Sequence, residues 1–437
     1  MSLALPELSE EGLPNGATLV TAIRPGIPLV AARLLMRAGS SLDPAGRFGL
    51  SHLVAQVARR GAGRRNGRGI DQLVESLGAD LAGDADEDAT VYGLTAPIEV
   101  LPRLLGVLVD VAAAPTFPAA EFERLRRREI AAIAHDFDEP GTLADRALQS
   151  AAYGNHPYAH AVEGRLRDLR RMRRADAVAF HRRHYAPGAA TLVIVGPPEV
   201  RRDLGEARDR LSRWRAAGQT PPEVSRCEAG RRQVVLVDKP DATQTQVRIA
   251  GAALPRRSPD YFPAVVTNAI LGGGFTSRLV EAIRVNRGLS YGVRSRFAMS
   301  RSAGLFAVSS FTKNDTAGEL VQVALDEMAR FCEGGATAEE VARATSYLAG
   351  LFPLSLETHE QWAERLCDVR IYGYDLEEVR DYRERVRAVE ATQVREVARR
   401  YLPVSSGVIL AVGPARTVAP QLERFGPVHV LPARSVL

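Results

Sequence analysis

The amino-acid sequence predicts an α+β protein made of two homologous domains that arose by internal duplication. Three observations lead there. First, a helix-to-strand segment recurs. Ala175 to Pro187 ends in Tyr185-Ala186-Pro187, and the apolar run Thr191 to Val195 then reaches Gly196-Pro197. Ala391 to Pro403 ends in Tyr401-Leu402-Pro403, and Val408 to Val412 then reaches Gly413-Pro414. Self-similarity at this separation marks a repeated unit. Second, the halves start alike. Ala17 to Ala22 precedes Pro25, and Gln233 to Asp238 precedes Pro240. A second strand-like run follows each, Leu29 to Met36 and Gln246 to Ala250. Third, short apolar runs of strand length alternate with long helical patterns in both halves, which gives a sheet covered by helices.

The join falls in Ala216-Ala217-Gly218-Gln219-Thr220-Pro221-Pro222, a Pro/Gly-rich breaker signal. The expected organisation is therefore an N-terminal domain over 1–217, a linker over 218–230 and a C-terminal domain over 231–437. Thr337-x-x-Glu340 and Asp375-x-x-Glu378 have the spacing of capping boxes and predict helix starts.

Composition narrows the function. The 437 residues are 46% hydrophobic and 25% charged, ordinary for a globular chain. Aromatic residues are only 6%, too few for base-stacking platforms. The net charge of +5 comes from 57 basic and 52 acidic residues, and Lys239 and Lys313 are the only lysines. Such an arginine skew reflects a GC-rich genome rather than a phosphate-binding face. The dense runs Arg124 to Arg128 and Arg165 to Arg174 read as solvated helix faces, so no nucleic-acid partner is expected. Cys227, Cys332 and Cys367 are few, odd in number and far apart, which fits a reducing compartment. Neither a signal peptide nor a membrane span is legible, so the expected location is cytoplasmic, or periplasmic if a leader has been removed.

The segment Arg37-Ala38-Gly39-Ser40 closes an apolar strand, and Gly46 to Ser51 leads into a helix. On that helix Leu50, Val54, Val57 and Ala58 share a face. It carries His52-Leu53-Val54-Ala55-Gln56. With Tyr153 to Tyr158, Gly164 and His184-Tyr185-Ala186-Pro187 following in order, the chain resembles the pitrilysin/insulinase/mitochondrial processing peptidase family, the inverted zincins. The resemblance covers nearly the whole chain. It implies two homologous domains, each a mainly antiparallel sheet covered by helices, closing like a clam around a peptide chamber.

In that family two His residues four apart bind zinc and the Glu between them activates the zinc-bound water. Here the Glu position is Ala55 and the second His position is Gln56, so only His52 remains. The family's third ligand, counted without gaps from Phe122 to Pro140, falls on Ala132, and the Glu seven residues earlier falls on Leu125. A register slipped by three would use Glu129 instead. One His and one carboxylate do not make a zinc site, so the chain is expected to hold no cofactor of its own. His156 with His160 and His181 with His184 are also closely spaced, but neither pair has a third ligand in view.

The second half retains more of the pattern. Gly272-Gly273-Gly274 lacks both the Gly-x-Gly-x-x-Gly and the Gly-Lys-Ser/Thr spacing of nucleotide loops. The block from Gly272 to Tyr291 instead resembles the family's C-domain signature Arg-x(6)-Tyr, on Arg284 and Tyr291. Helical spacing carries Arg284, Gly288 is a candidate helix C-cap, and Tyr291 is expected to open the next strand. The resemblance implies that Arg284 and Tyr291 contact a peptide held at another half's zinc, the guanidinium on carbonyls and the phenol on the oxyanion.

A chain with this complementary loss resembles the non-catalytic subunit of a two-chain zinc metalloendopeptidase. Zinc, its ligands and the general base would come from a homologous catalytic partner, and the substrate would be an unfolded peptide added to a sheet edge. The alternative is a non-catalytic peptide-binding or scaffold protein, possibly a homodimer. A third reading, an autonomous metallopeptidase with rearranged ligands, needs donors the motif does not supply.

Overall fold

Strand periodicity sets the architecture. In the segment Thr90–Pro97 every second side chain is buried, as expected of a strand with one face on a core. The runs Leu29–Met36, Ala190–Gly196 and Val408–Gly413 are apolar nearly throughout and are buried on both faces. Such strands must lie inside a sheet with cover on each side. The structure, a computed structural model, describes residues 5–216, 224 and 230–437. The linker expected over 218–230 lies, apart from Val224 and Gly230, outside the described residues, and so does Cys227.

The first half holds β1 (Glu7–Gly12), β2 (Thr18–Ile23), β3 (Leu29–Met36), a short hairpin of β4 (Gly61–Ala62) and β5 (Arg65–Asn66), β6 (Asp80–Ala85), β7 (Thr90–Pro97) and β8 (Ala190–Gly196). The second half holds β9 (Gln233–Asp238), β10 (Gln244–Ala253), β11 (Val293–Met299), β12 (Gly304–Lys313), β13 (Val408–Gly413) and β14 (Val428–Pro432). The sheets run β1-β2-β8-β3-β7-β6 and β11-β12-β10-β13-β9-β14. In each, the strand after the Tyr-x-Pro turn pairs parallel with the half's early strand, β8 with β2 and β13 with β9. It pairs antiparallel with the next one, β8 with β3 and β13 with β10. The remaining pairs are antiparallel except β14 with β9, so both sheets are mainly antiparallel and the halves are homologous.

One face of each sheet packs on helices of its own half. In the first, these include α1 (Leu50–Ala58), α2 (Gly67–Ser76), α3 (Leu101–Ala113) and α4 (Ala119–His135), which meet Val30, Ala32, Leu34, Leu192 and Ile194. The other face is covered by the opposite half. Helix α5 (Pro140–Tyr153) puts Leu143, Ala144 and Leu148 on Val235, Val237, Leu410 and Val412 of the second sheet. Helix His359–Tyr372 puts Trp362, Leu366 and Ile371 on Ala31, Leu35, Val193 and Val195 of the first. The two shells of the clam are thus fastened by a reciprocal exchange of helices. Polar ties flank it: Arg248 Nε donates to Asp145 at 2.7 Å, Thr95 Oγ1 to Glu360 at 2.6 Å, and the Arg301 amide to Asp88 at 2.9 Å.

The capping box at Thr337 and Glu340 forms as expected. That at Asp375 does not, because the Glu378 side chain is drawn away to the buried Arg256.

Trp362 is 2% exposed at the exchanged helix. Trp362→Ala is expected to cost about 3–5 kcal/mol. It leaves Trp214, buried in the first half's own core, as the chain's single tryptophan. Urea unfolding followed by Trp214 fluorescence and by circular dichroism should shift together. A Trp214 midpoint that stays in place would show that the exchanged helix contributes nothing to the first half's stability.

Candidate functional site

Two clusters carry the residues singled out by sequence, one on each half. The first is built on α1. Leu50, Leu53, Val54 and Val57 bury its core face, so the helix folds without help from the motif residues. Ala55 is fully buried in this packing and brings no polar atom. Gln56 Nε2 donates to Gly83 O at 3.1 Å, on the edge strand β6. His52 is held between two carboxylates: Nδ1 lies 3.2 Å from Asp84 and Nε2 lies 3.6 Å from Glu129.

The ungapped count placed the third ligand position on Ala132, and the structure corrects it. The buried stripe of α4 is Phe122, Leu125, Glu129 and Ile133. Ala132 lies off that stripe and is exposed, while Glu129 faces α1. Glu129 also takes two hydrogen bonds from Arg128, at 2.7 and 3.0 Å.

These residues do not fit zinc. Asp84 and Glu129 sit at opposite nitrogens of the imidazole and cannot share an ion with it, and Gln56 is committed to Gly83. Among the described residues no group of three or more His, Cys, Asp or Glu is arranged to hold a metal. What the geometry makes is a cation of its own. Burial pushes His52 down, but Asp84 and Glu129 outweigh it and raise the imidazole to about 9. Contact with His52 is in turn the first cause holding the Asp84 and Glu129 carboxyls below the usual range.

The other histidine pairs are spent locally. His160 stacks on Phe48 at 4.1 Å and its Nδ1 lies 3.0 Å from Ala161 O. His181 Nε2 lies 2.7 Å from Ala112 O. His184 is buried beside Phe180, which with the Arg183 charge lowers it to about 4.

The second cluster follows helix Tyr261–Leu271. Gly272 ends that helix where a Cβ would meet Ser295 Oγ at 2.5 Å, so the glycine serves close packing against β11. The chain then forms a π-helical turn over Val280–Val285, with Val280 and Ile283 buried. Gly288 closes it at φ +59° with its amide on Arg284 O at 3.2 Å, the αL cap motif, and the Leu289 amide reaches back to Ile283 O at 2.9 Å. Tyr291 does not open the strand. It stands in the turn before Val293, where β11 begins, because Ser290 and Gly292 bond to one another there.

This turn lifts Arg284 between two rings. Its guanidinium carbon lies 4.7 Å from the Tyr291 centroid and 5.6 Å from that of Phe275, cation–π distances. Tyr291 is 79% and Phe275 83% exposed. Among the described residues no carboxylate pairs with Arg284. Its neighbour Arg278 is instead bound bidentately to Glu340, both contacts at 2.7 Å. Sequence reasoning found Arg284 and Tyr291 but missed Phe275, which sits inside the same glycine-led block, and Asp84, which follows Gly83 on β6.

A six-stranded sheet with a reverted zinc helix, and a second sheet with an exposed Arg/Tyr turn, define a degenerate two-domain peptidase fold. Comparison with known proteins gives the family. Residues 19–165 match the insulinase family (peptidase family M16) and residues 171–348 match the peptidase M16 inactive domain. The chain belongs to peptidase family M16, and it is a peptidase-like member whose zinc motif is lost. It is 23% identical over 392 residues to an uncharacterized zinc protease of Streptomyces coelicolor, covering 89% of this chain and 85% of that one. It is 25% identical over 333 residues to the non-peptidase homolog YmxG of Helicobacter pylori, covering 76% and 77%. The crystal structure of a peptidase M16 inactive domain from Pseudomonas fluorescens superposes with a TM-score of 0.87 at 28% identity, over 93% of this chain and 98% of that one.

The raised His52 sets a pH dependence. A cation stabilised in the fold contributes most below the unfolded pKa, about 6.5, and loses its effect as pH rises through the folded one. Wild type should exceed His52→Gln by about 1–2 kcal/mol near pH 6, a modest figure because Asp84 is largely exposed. The gap should close between roughly pH 7 and pH 10. Urea midpoints of both proteins across that range test this, and a gap independent of pH would refute a charged His52.

Proposed function

We propose that this chain is the substrate-contacting subunit of a two-chain zinc metalloendopeptidase that degrades or processes peptides. The observation that carries the reading is the half-buried, unpaired Arg284 held between the exposed rings of Phe275 and Tyr291 on a chain whose own zinc motif is reduced to an ion-paired histidine. A buried or ion-paired arginine would suggest packing, as Arg278 does. A free fork beside a free phenol suits a peptide: the guanidinium takes backbone carbonyls and the phenol donates to an oxyanion.

In this reading a homologous catalytic subunit with an intact His-x-x-Glu-His motif brings the zinc site and the general base. An unfolded peptide would lie along a sheet edge as an added strand. Tyr291 stands two residues before β11, the edge strand of the second sheet, which suits that placement. The second reading, a peptide-binding or scaffold protein, is favoured by the same patch if no catalytic partner exists, since exposed aromatics bind as well as position.

The test is peptidase activity and zinc content of this chain alone and co-expressed with a His-x-x-Glu-His homologue from the same genome. Activity and zinc are expected in the pair only. Arg284→Ala and Tyr291→Phe should each lower the pair's kcat/KM by about tenfold to a hundredfold without dissociating it. An inactive pair that still binds peptide would favour the scaffold reading. Unchanged turnover in both variants would remove the substrate-contact role.

A further inference from the structure

A second feature lies on the seam between the halves, and none of its residues belongs to the His52 or Arg284 clusters. There a cavity of about 590 Å³ is walled by Arg146, Arg165, Arg167 and Arg170 of the first half and by Arg434 of the second. No aspartate or glutamate lines it among the described residues. Two of the five guanidinium groups are balanced by acids outside the wall. Arg146 is tied to Asp136 at 2.8 Å and lies 3.6 Å from Glu163, and Arg167 lies 3.8 Å from the buried Asp168.

Of the other three, Arg165 feels the Asp168 charge without pairing with it, and Arg170 and Arg434 form no ion pair among the described residues. Arg165 lies over the Phe48 ring at 4.9 Å and Arg434 lies 5.8 Å from that of Phe137. Burial first, and then the Arg167 charge, pull Arg165 below its usual value. Like charges gathered around a concave space that no acidic side chain lines, although the main-chain terminus at Leu437 also reaches its wall, create a positive potential. Guanidinium groups around one cavity suit the oxygens of phosphate groups, which they bind bidentately. Leu166, Val235 and Leu431 give the same cavity an apolar wall, and its volume is that of a small-molecule site. Ser150 and Gln233 add hydrogen-bonding groups.

We propose that this seam cavity binds a small phosphorylated ligand carrying two or more phosphate groups. Because both halves supply arginines, such a ligand would bridge the shells beside the exchanged helix α5.

Calorimetric titration of the full chain with inorganic triphosphate, at constant ionic strength, tests it. Saturable one-to-one binding is expected. Arg434→Gln, at an exposed position, should weaken it about tenfold or more, the worth of one charge-assisted contact. Arg165→Gln with Arg434→Gln should abolish detectable binding while circular dichroism stays that of the wild type. Arg213→Gln, on an exposed helix outside the cavity, should leave affinity unchanged. Three results would overturn the proposal: no saturable binding, equal weakening by Arg213→Gln, or a hexaglutamate peptide binding as tightly as triphosphate.

Discussion

The outer faces of the two sheets govern the rest of the molecule. Val193, Val195, Ala31 and Leu35 on the first, and Val235, Val237, Leu410 and Val412 on the second, are apolar where a lone domain would meet water. Neither half covers that face with its own helices. Each lends one helix to the other, and the loan is reciprocal on equivalent strands: β3 and β8 receive helix His359–Tyr372, while β10 and β13 receive α5. Even the charges repeat. Arg33 stands opposite Val193, and Arg248 stands opposite Leu410, each three residues before the glycine that ends its neighbour strand. The buried Arg248 finds Asp145 on the lent helix, without which its charge would be left to backbone carbonyls and the neutral Gln246 amide oxygen. Duplication therefore made two domains, but shared burial packs them into one body.

This arrangement explains how the zinc motif could be lost without loss of fold. The residues that hold α1 are Leu50, Leu53, Val54 and Val57, all on the face away from the motif's chemistry. The positions that would hold metal are free to change, provided the inward carboxylate of Glu129, bound along its own helix by Arg128, keeps a partner on α1. His52 supplies it as an imidazolium, and Asp84 holds the far nitrogen. A single positive charge on a side chain thus does the electrostatic work of fixing α1, α4 and β6 together. Gln56 adds a neutral tie from the same helix to the same strand.

Much of the fold was legible in sequence because it depends on period. Apolar runs of strand length, the repeated Tyr-x-Pro turn and the paired early strands led to two homologous sheets. The helix exchange was not legible, since an apolar face tells that it is covered and not by which segment. The candidate site divides the same way. Arg284 and Tyr291 are singled out by the resemblance of the block Gly272 to Tyr291 to the family signature, and the Gly288 cap by local spacing. Glu129 was misplaced in favour of Ala132 because the count was made along the chain rather than around the helix. The stripe Phe122, Leu125 and Ile133 carried the information, for Glu129 lies on it and Ala132 does not. Asp84 could not be found by spacing at all, since it reaches His52 only through the pairing of β6 with the rest of the sheet.

The two clusters sit on separate shells, and that separation matters for function. Losing metal donors on α1 changes nothing in the turn that presents Arg284, because the turn is fixed by Ile283, by Gly288 and by the packing of Gly272 on β11. A chain can therefore lose one contribution and keep the other intact. Exposed Phe275 and Tyr291 are a standing cost in water, and Arg284 forgoes an ion pair that Arg278, six residues earlier, makes twice over. Burial of Phe275 and Tyr291 by a neighbour would remove that cost, and the small backbone adjustment of a π-helical turn is a common way to aim such groups outward. A surface arranged at the expense of its own packing is best explained by what it is meant to touch.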